Sequence, residues 1–83
     1  MWRRLIKYMN PQRRKLIAEI ASLVEQASES TGEVLEQETE AMDKTPESLQ
    51  GTANYERSEA AVEILQEVIE ALDEAAEKLG SIE

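Results

Sequence analysis

Seven glutamates recur along the C-terminal half of the chain at steps of three or four residues: Glu56, Glu59, Glu63, Glu67, Glu70, Glu74 and Glu77. On a helix that spacing sets them on one face, about 5 Å apart along the axis. Only Arg57 and Lys78 stand near enough to offset them. Such a row has two chemical uses. Carboxylates at i and i+3 can hold a hard divalent cation, and Glu33-x-x-Glu36 and Glu70-x-x-Asp73 are two such pairs. An unpaired line of carboxylates can also imitate a phosphate backbone, or dock in a basic groove of another protein. The plain alternative is a solvated polar face.

Missing residue types narrow the rest of the chemistry. The chain has no His, no Cys and no Phe. A di-iron bundle needs Glu-x-x-His pairs, and a thiolate metal site or disulfide framework needs Cys. The expectation is a non-enzymatic protein with no cofactor and no resident metal.

Charge is segregated along the chain. Arg3, Arg4, Lys7, Arg13, Arg14 and Lys15 fall in the first fifteen residues, with no acid among them. From Leu16 onward eighteen acidic residues face three basic ones, Lys44, Arg57 and Lys78, so the net charge is −9. Something basic should meet the acidic body, or something acidic the head. Direct nucleic-acid binding by the body is not expected, since both would be anionic.

The elements that must carry these residues are helical. Eighty-three residues form one small domain, and a chain of that size buries only roughly 60% of its unfolded surface. Its apolar mass is Leu, Ile, Val and Ala, with Trp2, Tyr8 and Tyr55 the only aromatics. Asn10-Pro11 is a cap followed by proline at the first helical position, so helix 1 should run over about 11–44. Its apolar stripe reads Ile17, Ile20, Val24, Ala27, Thr31, Val34, widened by Leu16, Leu23 and Leu35. Residues 27–32 are small and weakly helical. They either break the helix, with Ser30 or Thr31 capping a new one, or admit a close neighbour, and the continuous helix is the preferred reading. Thr45-Pro46-Glu47 repeats the cap-then-proline pattern, but Gly51 limits it to one turn. The loop should span 45–51, with Leu49 tacked onto the core and Tyr55 half-buried over it.

Helix 2 should cover about 52–79, stopped by Gly80. It carries two overlapping seams, Ala61, Leu65, Val68, Leu72, Ala75, Leu79 and Val62, Leu65, Ile69, Leu72, Ala76, Leu79. Ala60, Ile64 and Ala71 broaden the face beyond what one antiparallel neighbour covers. The fold expected is therefore all-α, a long antiparallel hairpin over 10–83 that self-associates, as a dimer, into a four-helix-type bundle. An antiparallel pairing would also bring Arg13, Arg14 and Lys15 beside Glu70, Asp73, Glu74 and Glu77. The oligomer interface should include Leu65, Val68, Ile69, Leu72 and Leu79. Residues 1–9 form a separate basic amphipathic arm, with Trp2, Leu5, Ile6 and Met9 on one side and Arg3, Arg4 and Lys7 on the other. The arm is read as a clasp in which Trp2, Leu5 and Ile6 pack on a partner subunit. It is too short for membrane anchoring, and no segment reaches the ~18 apolar residues of a spanning helix. The opening residues also lack the apolar core of a signal peptide, so a cytoplasmic protein is expected.

Two resemblances bear on function. The stretch Thr45-Pro46-Glu47-Ser48-Leu49-Gln50-Gly51, followed by Tyr55-Glu56, resembles a segment in small acidic helical proteins of bacterial phages and mobile elements. The likeness spans about Ala41 to Leu79. It implies a bacterial host and no particular activity, and small acidic phage proteins include inhibitors of host defence nucleases such as anti-CRISPR proteins. Separately, Glu33, Glu36, Glu70 and Asp73 resemble the carboxylate pairs with which all-helical nucleotide pyrophosphohydrolases of the MazG kind hold Mg²⁺ over a phosphate. Position 32 is Gly where that family has the first Glu of a double. Three readings follow, in descending order. The chain docks its acidic helix face on a basic, nucleic-acid-binding surface of a host protein; or it is a structural oligomerisation protein with no outside ligand; or, distantly, it is a Mg-dependent pyrophosphohydrolase.

Overall fold

A computed structural model describes residues 10–82 of the chain. Two helices, α1 (Pro11–Asp43) and α2 (Ala53–Gly80), are joined through a single 3₁₀ turn at Glu47–Leu49 and pack side by side as a hairpin. The arm at 1–9, with Trp2, Leu5 and Ile6, lies outside the described residues, as does Glu83.

Local chemistry explains where the helices begin. Asn10 Oδ1 accepts from the Gln12 amide at 2.8 Å, and Pro11 has no N–H to leave unpaired. Thr52 does the same for α2, its Oγ1 accepting from the Tyr55 amide at 3.3 Å while donating to the Leu49 carbonyl at 2.8 Å. The small residues at 27–32 do not interrupt α1. Thr31 donates its hydroxyl to the Ala27 carbonyl one turn back at 2.7 Å, so it is satisfied inside the helix and caps nothing.

Two expected signals act differently. Thr45 does not cap the turn after it. Its hydroxyl reaches back to the Ala41 carbonyl at 2.9 Å, one of the acceptors left open at the end of α1, and Pro46 has no side-chain cap. Gly80 is the last helical residue and not a left-handed terminator, since no described glycine has positive φ. Ser81 ends α2 in a right-handed conformation, with its amide on the Glu77 and Lys78 carbonyls and its Oγ donating to Lys78 at 2.7 Å. The Ser81 contacts satisfy the terminal carbonyls, so no left-handed residue is required.

Half-buried positions recur on α1 at Ile17, Ala21, Val24, Ser28, Thr31, Leu35, Glu38 and Met42, and on α2 at Tyr55, Ser58, Val62, Leu65, Ile69, Leu72, Ala76 and Leu79, with the small residues Gly32, Ala61 and Ala75 half-buried beside them. Steps along the two series alternate between three and four, the period of a coiled-coil seam, so the series are its a and d positions. On α2 this is the second of the two expected seams. On α1 it corrects the expected stripe: Ile20, Ala27 and Val34 stand exposed, as do Leu16 and Leu23, whereas Ala21 and Ser28 face α2 together with Leu35, which was expected only to widen the stripe. The two stripes share Ile17, Val24 and Thr31 and have the same period, so hydrophobicity alone favours the wrong one. The polar member earns its place by a bond, Ser28 Oγ donating to Asp73 Oδ1 at 2.6 Å across the seam.

The same bond fixes the register and corrects the expected ion pairing. Asp73 lies level with Ser28, and near the end of α2 Leu79 lines one open cleft with Ile17 and Ala21. The helices are aligned at the loop, where Met42, Thr45, Leu49, Tyr55 and Ser58 line an open cleft of about 300 Å³. Because α1 has 33 residues and α2 has 28, the excess falls at the start of α1. Arg13 and Lys15 therefore make no ion pair with Glu70, Asp73, Glu74 or Glu77, and Arg14 borders Leu79 and Gly80. Among the described residues the one ion pair is Lys78 Nζ to Glu74 Oε1 at 3.2 Å, within α2.

Gly32 offers a direct check on this packing. A Cβ built there meets no atom within 4 Å, and its backbone is ordinary helix. Gly32→Ala should therefore stabilise the chain by about 1 kcal/mol in urea or thermal melts, the helix-propensity difference alone. A loss of stability would show that another surface packs at Gly32.

Candidate functional site

The seam sorts every other side chain onto one of two sides. Around an α-helix the positions next to a are e, then b and f; those next to d are g, then c. When two helices run antiparallel with a shared a/d seam, e lies beside e on one side and g beside g on the other. Thus the hairpin has an e/b/f side and a g/c side.

Carboxylates occupy the first side almost exclusively. On α1 it carries Glu19, Glu25, Glu29, Glu33, Glu36, Glu40 and Asp43; on α2 it carries Glu56, Glu59, Glu63, Glu67, Glu70, Asp73, Glu74 and Glu77. All are exposed, and Glu38, in the seam, is the one acid of the two helices placed elsewhere. All seven members of the α2 row are thus brought together, and α1 supplies a second row that sequence inspection passed over. Its signal was present: Glu29, Glu33, Glu36, Glu40 and Asp43 also step by three and four. From Glu19 to Asp43 and along all of α2, no Lys or Arg stands on this side. Fifteen carboxylates over an axis of roughly 40 Å give about one charge per 3 Å, against ~1.7 Å for duplex DNA.

The second side is apolar. It presents Leu16, Ile20, Leu23 and Val34 from α1 with Ile64 and Val68 from α2, and these, with Leu49 of the connection and Ile82 just beyond α2, are the large hydrophobic residues left exposed among the described residues. Of the expected interface residues, Val68 is here, 38% exposed. Leu65, Ile69, Leu72 and Leu79 are half-buried in the seam against α1.

Among the described residues no three carboxylates converge on a point where they could share a cation. The pairs Glu33/Glu36 and Glu70/Asp73 sit in two exposed rows, and Asp73 spends an oxygen on Ser28. A scan against protein-family models finds no match for the chain, and neither do searches of curated proteins and of solved structures. None of the described helices is long and apolar enough to cross a membrane.

Mg²⁺ should accordingly act on the acidic side as a screening ion. Its addition should raise the melting temperature gradually and without saturation, and Glu70→Gln should leave that response unchanged. A saturable calorimetric isotherm abolished by Glu70→Gln would instead establish a specific site.

Proposed function

We propose that the chain is a non-enzymatic protein-interaction module, a self-associating hairpin whose acidic side docks on a basic, nucleic-acid-binding surface of another protein. The observation that carries this reading is the one-sided double row. Exposed carboxylates at about half the line density of duplex DNA, with no interleaved Lys or Arg, suit a groove built for phosphates. A merely solvated helix would gain from mixed charges at i and i+4, and among the described residues only Lys78 with Glu74 makes such a pair. A bacterial defence nuclease is one protein with a groove of this kind. Self-association as a four-helix-type dimer belongs to the same reading, because among the described residues none is buried and one hairpin encloses no core.

The test is capture from a bacterial lysate, with the wild-type chain beside a Glu63→Gln, Glu67→Gln, Glu70→Gln variant. The expected prey binds nucleic acid, is displaced by duplex DNA or by salt, and is lost or at least about tenfold weaker on the variant. Capture of other copies of the chain alone would favour the purely structural role. Prey retained equally by the variant would remove the acidic side from the interaction.

A further inference from the structure

The g/c side is the least explained surface of the hairpin. Its apolar residues follow the same heptad as the seam: Leu16, Ile20 and Leu23 on α1, and Ile64, Val68 and Ala71 on α2, continue at steps of three and four. Leu23 is 62% exposed and Ile64 58%, more than any seam residue. No Asp or Glu stands at any g or c position of either helix. The cations of this side, Arg13, Arg57 and Lys78, lie towards its ends, and Ser30 and Gln37 are its polar interruptions on α1.

We propose that this side seats a second copy of the chain, two hairpins closing face to face about a twofold axis into a four-helix bundle with both acidic sides outward. The proposal deepens the self-association in the reading above by assigning it a surface, and it does not depend on what the acidic side binds. Three observations select a second copy as the occupant. The first is period. A side with the seam's own heptad packs on another of its kind by the same knobs-into-holes geometry that joins α1 to α2. The second is charge. At −9 per chain, two copies can approach closely only through a side free of carboxylates, and this is the only such side of the two helices. A basic partner would find no anion here to pair with. The third is area. A face ~42 Å long, the length of α2, and ~20 Å broad, the width of two helices, covers on the order of 800 Å² per copy, the size typical of a stable interface.

The assembly state of the full chain tests this. Sedimentation equilibrium should give twice the 9.4 kDa chain mass. Ile64→Glu with Val68→Glu should weaken association by at least about 100-fold, because each dimer would have to bury unpaired carboxylates, whereas Glu63→Gln with Glu67→Gln on the acidic side should not weaken it. If the glutamate variant loses its helices, single thiols still decide, since the chain has no cysteine of its own. At concentrations where the chain is dimeric, Ile64→Cys should be alkylated at least about tenfold more slowly than Glu63→Cys, and dilution should remove the difference. A folded monomer with a freely reactive thiol at position 64 would overturn the proposal. So would a dimer with that thiol exposed, which would place association on another surface. A monomer with the thiol protected would give the face to residues 1–9 of the same chain, and that too would overturn it.

Discussion

A single period, 3.5 residues, governs both helices, and nearly everything else in the hairpin depends on it. An α-helix left to itself repeats every 3.6 residues, so two helices keep a common stripe in contact only by winding slightly around each other. Once Ile17 through Met42 and Tyr55 through Leu79 are committed to that stripe, each remaining side chain has a fixed place on one flank or the other. The separation of carboxylates from exposed aliphatics is therefore a consequence of which residues form the seam. A seam shifted by one position on α1 would carry Ile20, Ala27 and Val34 inward. The exposed apolar face would then lose Ile20 and Val34, two of the four large residues that α1 gives it.

The seam itself is modest. Its α1 half contains Ala21, Ser28, Thr31 and Glu38, small or polar residues that contribute little burial. The two helices thus place much of their larger aliphatic surface outside their own contact. A hairpin of this size is marginal by itself, since conformational entropy offsets nearly all that burial supplies. The Ser28–Asp73 bond serves register more than energy, because an exposed hydrogen bond competes with water.

Electrostatics shape the molecule by exclusion. The acidic rows of α1 and α2 lie side by side and repel, a cost reduced by full exposure and by salt. Surface ion pairs would relieve little of it, being worth ~0–1 kcal/mol each. The overhang of α1 removes even the pairs expected of Arg13 and Lys15 with the end of α2. What remains is a strong field on one side, of the kind that steers encounter with a cationic surface.

Much of this was legible in the residues alone. Asn10-Pro11 and the uninterrupted apolar periodicity mark both helices to within a residue or two, because caps and periodicity act within one turn of the chain. The all-α hairpin follows from two such helices and a short connection. The continuity of α1 through Gly32 was legible too, as the preferred of two readings of its small residues. Other features were not. The fate of Thr45 and Gly80 turned on which acceptors neighbouring residues left open. The ion pairs depended on register, which sets Ser28 and Asp73, 45 positions apart, level with each other. Most telling is the α1 stripe: sequence determined that a heptad repeat exists, while tertiary structure decided which of two heptads faces inward. Periodicity specifies spacing along one helix, but the direction in which a stripe faces exists only relative to a second helix.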